Sequence, residues 1–174
     1  MSASLYQTHV PGFIAMLRNM QAWLDKAAAT LDEAALMDAR LAPDMLPLPR
    51  QIQIASDAVK GAAARLTGSE PPAMPDTETT LAELKDRCAR TIAYVESVDP
   101  AAFDAGASRE VVITFPNGAG IRFDGLTFLT GFATPNFYFH ATTTYAILRM
   151  LGVEIGKQDY LAHLAPYMFP PPQA

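Results

Sequence analysis

Apolar residues recur at intervals of three and four in four separate segments of the chain, and clusters of proline lie between several of these segments. Such intervals place side chains on one face of an α-helix, because the helix makes one turn in about 3.6 residues. Proline interrupts helices, since it has no amide hydrogen and clashes with the preceding turn. The pattern predicts four amphipathic helices that bury their apolar faces against each other. The predicted inward-facing apolar residues of the first three helices are Phe13, Leu17, Met20, Leu24, Ala27, Ile52, Ala55, Val59, Ala62, Leu66, Leu81, Leu84, Cys88, Ile92 and Val95.

The first two helices are predicted over residues 5–28 and 50–66. Pro11 requires that helix one either begins near it, so that proline falls in the first turn, or bends there. Gly68 is placed to end helix two, because glycine readily adopts the left-handed conformation of a helix C-cap. The connector between these helices holds a short helical stretch over residues 32–41 and three prolines, Pro43, Pro47 and Pro49.

Helices three and four lie in the second half of the chain. Helix three is predicted to begin at Thr80-Leu-Ala-Glu83, a capping box in which the hydroxyl and the carboxylate satisfy free amide groups. Helix four is predicted over residues 135–151, with Pro135 at its first position, where no amide hydrogen is needed. The chain after helix four, including Pro166 and residues 170–172, is predicted to be an extended or frayed tail.

A different pattern separates helices three and four. Residues 111–115 and 121–123 are rich in β-branched and aromatic side chains and flank Asn117-Gly118, a turn signal typical of hairpins. Residues 126–132 are predicted to form a short turn before helix four. The sequence thus predicts a small β-hairpin inserted into an otherwise helical chain.

Composition restricts the class of protein. With 174 residues, 50% apolar and 18% charged, the chain is expected to form a single domain over residues 1–174. A net charge of −5 argues against a nucleic-acid-binding surface, which needs clustered Lys and Arg. The start of the chain has no signal-peptide pattern, no segment is long and apolar enough to span a membrane, and the lone Cys88 cannot form an internal disulfide. A cytoplasmic protein is expected.

Several segments resemble the DUF1993 family, whose function is not settled. The segment from Pro135 to Arg149 is similar to the family in order and spacing, as are Gly152 and Asp159-Tyr160 after it. The other matching segments are Ser4-Leu-Tyr6, Leu41-Ala-Pro-Asp-Met45, Arg50-Gln-Ile-Gln-Ile54, Lys60-Gly61 and Asp76-Thr-Glu78.

The resemblance implies a fold and a type of site. DUF1993 is similar to the larger DinB/YfiT-like group, so a mainly α fold is expected: a DinB-like four-helix bundle with a small β-hairpin between helices three and four. Members of that group usually hold a divalent metal with three histidines, one on helix two and two in an H-x-x-x-H pair on helix four. The better understood relatives include thiol-dependent transferases and isomerases, and many are dimers.

The three-histidine set is incomplete in this chain. His140 matches the second histidine of the pair, since Arg149 and Gly152 follow at the family's spacing. Asn136 stands where the first histidine is expected, and the helix-two position falls near Ile54 or Gln53. An amide is a much weaker ligand than imidazole for transition metals. Neither a metal nor another cofactor is therefore predicted.

His140 lies on the inward face of helix four beside Thr144, so its ring is expected to point into the bundle. A buried imidazole needs hydrogen-bond partners, and Asn136, Gln53 or a backbone carbonyl could supply them. His9 would approach His140 if helix one begins before Pro11. These residues, His140, Asn136, Gln53, Thr144 and His9, are the candidates for a ligand pocket.

Three functions remain open from the sequence. The preferred interpretation is a small-ligand-binding or vestigial module without the three-histidine metal site. The second is a metal-dependent or thiol-dependent transferase in which Asn136 and Gln53 assist His140. The third is a structural homodimer without a ligand. Cys88 is expected to be a buried apolar residue and not a nucleophile.

Overall fold

The computed structural model describes residues 4–169, in which four long helices form a bundle with a two-stranded hairpin. The elements are α1 (Leu5–Ala28), α2 (Glu33–Asp38), α3 (Leu48–Thr67), α4 (Leu81–Ser97), α5 (Pro100–Ala105), β1 (Glu110–Thr114), β2 (Gly120–Asp124), α6 (Gly125–Phe128), a π-helical segment (Leu129–Ala133), α7 (Thr134–Met150) and α8 (Lys157–Tyr160), with short 3₁₀ helices at Gly106–Ser108 and Ala162–Tyr167. Among the described residues, no helix is both long enough and apolar enough to cross a membrane.

The four long helices enclose the core. Each of α1 and α3 packs against both α4 and α7, so the four form a closed ring. Every inward-facing residue predicted for the first three helices is buried. Each large aliphatic or aromatic side chain buried in this way stabilises the fold by about 1.5–3 kcal/mol. The predicted fold class, a mainly α bundle with a small hairpin, is confirmed.

Local signals fix most helix ends. The Thr80 hydroxyl accepts from the Glu83 amide at 3.2 Å, and the Glu83 carboxylate accepts from the Thr80 amide at 3.1 Å, which confirms the capping box. Gly68 ends α3 with φ of 71°, the left-handed conformation expected of it. The strands pair antiparallel around Asn117-Gly118, as the hairpin signal predicts.

Two proline predictions need correction, and one of the two alternatives for Pro11 is excluded. Pro11 lies in the second turn of α1, not in the first turn, and the helix continues through it. Helix α3 begins at Leu48, so Pro49 belongs to its first turn and not to the preceding connector. Pro166 lies inside a 3₁₀ helix and not in an extended tail, because its fixed φ is compatible with helical backbone. Residues 170–172 lie outside the described residues.

The start of helix four also differs from the prediction. Residues 126–132 do not form a separate turn, because α6, the π-helical segment and α7 run on without a break. The Asp124 carboxylate caps this helical stretch by accepting from the Thr127 amide at 2.7 Å. Pro135 therefore falls after the π-helical segment, inside a longer helical stretch that begins at Gly125.

The segment after α7 is fastened to α1. The Trp23 indole N–H donates to the Asp159 carbonyl at 3.3 Å, and the Trp23 ring stacks on Tyr160 with centroids 5.6 Å apart. The Asn19 amide donates to the Tyr160 carbonyl at 2.8 Å. These contacts hold α8 against the C-terminal half of α1.

Candidate functional site

A pocket of about 200 Å³ lies where α3, α7, the π-helical segment and the hairpin meet. Its walls are mainly apolar, and three of its side chains carry polar groups, namely Asp57, Arg65 and Asn136. The apolar lining residues are Ile54, Ala58, Ile113, Phe128, Phe132 and Ala133. An apolar concavity with a few polar groups is the usual form of a small-molecule site.

The antiparallel packing of α3 and α7 assembles this pocket. Ile54 and Ala58 are one turn apart on α3, so they share a face. The end of α6 presents Phe128 and the π-helical segment presents Phe132 from the other side, with their rings stacked and their centroids 6.1 Å apart. Ile113 of β1 closes the pocket, so the hairpin forms part of its wall. Short π-helical segments are frequent at functional sites, because they re-aim side chains within a helix.

His140 lies one turn beyond Asn136 on α7, and its ring nitrogen Nδ1 is 2.7 Å from the Gln51 Oε1 of α3. The Gln51 amide nitrogen donates to the Leu46 carbonyl at 2.8 Å, so Oε1 is the atom that faces the imidazole. Nδ1 therefore carries the proton. Burial lowers the pKa of His140, which keeps the ring neutral. The expected partners Asn136 and Gln53 are thus corrected to Gln51.

Gln53 points away from His140 into a network of charged groups. Its oxygen accepts from Arg50 at 2.7 Å, and its nitrogen donates to the Glu78 carboxylate at 2.9 Å. Glu78 also accepts from Arg87, which is fully buried, at 2.9 Å. Burial by itself raises the pKa of Glu78, but the hydrogen bonds from Arg87 and Gln53 outweigh it, and the net pKa is lowered.

Asp57 connects this network to the pocket. Its Oδ1 accepts from the Arg87 Nη2 at 2.9 Å and lies 2.8 Å from the Lys60 Nζ. Arg87 also pairs with Asp76 at 3.0 Å. Burial alone lowers the pKa of Arg87, but Glu78, Asp57 and Asp76 reverse that effect, so the guanidinium stays charged. The carboxylate of Asp57 is therefore balanced by two cations at the edge of the pocket.

The two remaining candidates make their hydrogen bonds inside their own helices. The Thr144 hydroxyl donates to the His140 carbonyl at 2.9 Å. His9 Nδ1 lies 3.1 Å from the Leu5 carbonyl, in the first turn of α1. The His9 ring packs near Phe13, with centroids 6.4 Å apart. Both residues are thus placed in the bundle, and neither is among the residues that line the pocket.

Comparison with known proteins identifies the family. A family model described as a domain of unknown function, DUF1993, matches residues 5–161. The chain belongs to the DUF1993 family. A crystal structure of a DinB family member protein from Shewanella denitrificans is similar, with a TM-score of 0.82 and 42% identity over 98% of this chain and 95% of that one. No curated protein matches the DUF1993 chain.

The site of this DUF1993 chain does not fit the three-histidine metal site that the resemblance implies. Asn136 lines the pocket, and so does Ile54, one of the two helix-two positions that the resemblance leaves open; the other, Gln53, binds Arg50 and Glu78 instead. Ile54 has no donor atom, and an amide is a weak ligand. His140, the third position, is the one implied position that carries an imidazole, and its Nδ1 donates to Gln51. Across residues 4–169, no group of three or more His, Cys, Asp or Glu side chains could hold a metal ion.

Cys88 is fully buried in the core of the DUF1993 bundle. Burial raises the pKa of its thiol to about 12, so almost no thiolate forms at neutral pH. The pKa shift and the burial agree with the interpretation of Cys88 as a core residue. A reaction that needs a protein thiolate has no support at this position.

The sequence gives Arg65 no predicted role at the DUF1993 site, and for Asp57 it favours a solvent-facing or capping role over a place in the polar lining. A usable signal was present, because Ile54, Asp57, Ala58 and Arg65 follow at helical intervals along one side of α3. The hairpin residue Ile113 had no such signal, since its contact with the pocket depends on how the hairpin folds back onto the bundle. The positions of the charged side chains on α3 can therefore be predicted from the sequence, whereas the pocket cannot.

Proposed function

We propose that this DUF1993 chain binds a small organic ligand in the pocket of about 200 Å³ between α3, α7, the π-helical segment and the hairpin. One observation carries the proposal: Asn136, at a position where the family resemblance implies a metal ligand, lines a pocket whose walls are otherwise mainly apolar. A pocket of this size admits a ligand with about one aromatic ring. The chain acts in this proposal as a binding module without the three-histidine chemistry.

The walls supply the binding free energy. Phe132 and Ile54 are half-buried, so a ligand that covers them removes apolar surface from water. Asn136 offers both a donor and an acceptor at the same pocket. A fragment of about ten non-hydrogen atoms is expected to bind weakly, with Kd on the order of a millimolar.

Ala58→Leu tests the pocket directly, because the larger side chain fills the space between α3 and the π-helical segment. Ligand-observed NMR with a set of small aromatic fragments is the measurement. Wild-type protein is expected to bind several fragments, and Ala58→Leu is expected to lose them. Ala89→Leu, an equal change on the exposed face of α4, should leave binding unchanged. Equal binding by wild type and Ala58→Leu would contradict the proposal.

Metal analysis separates this proposal from the transferase alternative. A chain with Asn136 at one implied ligand position and Ile54 or Gln53 at another is expected to lose Zn²⁺ and Ni²⁺ on dialysis against a chelator, since catalytic zinc sites usually supply three strong ligands. The protein should be purified without an affinity tag and examined by elemental analysis. Near-stoichiometric metal after dialysis would support a metal-dependent transferase that uses His140.

A second proposal concerns assembly. We propose that the outward face of α7 pairs with its copy in a homodimer. Arg149 is the only Lys, Arg, Asp or Glu residue in α7. The exposed side chain of Phe139 stands beside a shallow groove that Leu41 helps to form. An uncharged, apolar helix face is typical of a surface that a partner covers, and an isologous pair covers both faces at once.

Phe139→Arg tests the dimer, because it places a charge in the centre of that face. Light scattering at micromolar concentration is expected to give twice the 18.8 kDa chain mass for wild type and a single chain for the variant. Leu126→Arg changes an exposed leucine away from this face and should remain dimeric. A wild-type mass of 18.8 kDa would contradict the proposal.

A further inference from the structure

Arg65 is a cation at the pocket without a carboxylate partner in the described chain. None of the ion pairs among residues 4–169 includes it. Its guanidinium carbon lies 5.7 Å from the centroid of the Phe128 ring, which also lines the pocket. Stacking on an aromatic face holds a guanidinium in place while its N–H groups stay available.

Gly61 explains why Arg65 can lie in this position. The two residues are one turn apart on α3, and a Cβ added to Gly61 would collide with the Arg65 Nη1. Since glycine has no side chain, the Arg65 side chain can fold back along the helix and reach over Phe128. A side chain at 61 would require the end of the flexible Arg65 side chain to shift from this position.

The charges around the pocket favour an anion at the Arg65 end. Asp57 is the only carboxylate among the pocket-lining residues of the described chain, and Lys60 and Arg87 balance its charge. Arg65 is eight residues after Asp57 on α3, but its side chain folds back to Gly61, so the guanidinium lies about 6 Å from Asp57 along the helix axis at 1.5 Å per residue. Because Lys60 and Arg87 already balance Asp57, a ligand carboxylate beside Arg65 meets a net positive charge.

We infer that the ligand of this pocket is a small carboxylic acid with an apolar, ring-sized body. This inference rests on the proposed function. The carboxylate accepts two N–H groups from Arg65 in the planar, bidentate arrangement that a guanidinium supports. The body of the ligand lies between Phe128, Phe132 and Ile54. Arg65 determines the ligand class, and the apolar walls supply the rest of the binding.

Three probes of nearly equal shape test the charge preference: benzoate, benzamide and benzamidine, which are an anion, a neutral molecule and a cation at pH 7.5. Titrations followed by protein-observed NMR give the three Kd values. Because the Arg65 end is open to solvent, benzoate is expected to bind about three- to tenfold more tightly than benzamide. Benzamidine is expected to bind most weakly.

Two variants assign the preference to Arg65. Arg65→Gln should weaken benzoate to the level of benzamide and leave benzamide unchanged. Gly61→Ala should have the same effect through displacement of the guanidinium. Arg18→Gln removes an exposed arginine of α1 that pairs with Glu96, and it should keep the wild-type preference.

The outcomes are distinguishable. Benzamide or benzamidine binding as tightly as benzoate overturns the carboxylate inference and leaves the binding module intact, provided that Ala58→Leu still abolishes binding. A benzoate preference that survives Arg65→Gln also overturns it. If none of the three probes binds, the inferred ligand class is wrong, and the fragment screen with Ala58→Leu decides the proposed function separately.

Discussion

His140 and Gln51 join the two helices that form the pocket, and their contact is a single hydrogen bond of 2.7 Å in the interior. The sequence predicts that His140 points inward, because its place on the inward face of α7 follows from the helical spacing of nearby residues. Its partner could not be predicted in the same way. The relative register of α3 and α7 depends on the packing of the whole bundle, and local spacing does not encode it.

His140→Ala should lower the free energy of unfolding by roughly 1–4 kcal/mol at pH 7.5, because it leaves a cavity and an unpaired Gln51 oxygen. The difference in unfolding free energy between wild type and His140→Ala should become smaller in acid. Burial lowers the pKa of His140, so its contribution is fully present above about pH 6.5 and is lost as pH falls through the folded-state pKa. The free energy of unfolding of wild type therefore falls between pH 7.5 and pH 5. The variant does not show this fall, because it lacks the contribution of His140.

Chemical denaturation at the two pH values measures this difference. His163→Ala, at an exposed position near the C-terminal end, serves as the control and should match wild type at both pH values. Carboxylates such as Glu78 do not interfere, since a lowered pKa keeps them ionised at pH 5. A constant stability difference between wild type and His140→Ala would contradict the assignment of a neutral, buried imidazole.

At the scale of elements, the spacing of apolar residues predicts the four long helices, and the capping box predicts where α4 begins. The π-helical segment at Leu129–Ala133 was missed, because one wide turn leaves no mark on composition. Helix α5 was missed although a signal exists, since Asp99 caps it and Pro100 occupies its first position. The hairpin was predicted from its turn, but its role as a pocket wall was not.

Thr80→Ala removes the hydroxyl that accepts the Glu83 amide at the start of α4. The loss of an N-cap side chain is expected to cost about 1 kcal/mol, within a range of roughly 0.5–2 kcal/mol. Thermal unfolding by circular dichroism should show a lower midpoint. The same change at the exposed Thr77, in the loop just before the cap, should alter stability by less than about 0.5 kcal/mol. Equal effects at 77 and 80 would contradict the capping role.

For the whole molecule, Arg87 is the buried cation that connects the loop before α4 to α3, beside the contacts that Gln53 makes with Glu78 and Arg50 with Asp76. Its guanidinium reaches Asp57 on α3 and Asp76 and Glu78 in the loop, while its Nε is buried without a partner in the described chain. The side chain of Glu78 is only 4% exposed, so removal of Arg87 leaves a nearly buried carboxylate with only Gln53 and a longer, 3.9 Å pair with Arg90. A buried charge of that kind is among the most costly defects in a fold.

Arg87→Met is therefore expected to lower the free energy of unfolding by about 3–5 kcal/mol. Arg18→Met is the matched control, because the pair of Arg18 with Glu96 is open to solvent and should contribute less than about 1 kcal/mol. Urea denaturation of both variants gives the comparison. A loss of similar size in the two proteins would show that the Arg87 network does not hold the loop to the bundle.

Trp23 is the single tryptophan of the chain, and it is the residue on which Tyr160 stacks. Its fluorescence consequently reports on the docking of α8 as well as on the melting of the bundle. If α8 detaches first, the emission of Trp23 will shift to longer wavelength at a lower urea concentration than the helical circular dichroism signal changes. Coincident transitions by the two methods would instead mean that α8 and the bundle unfold as one cooperative unit.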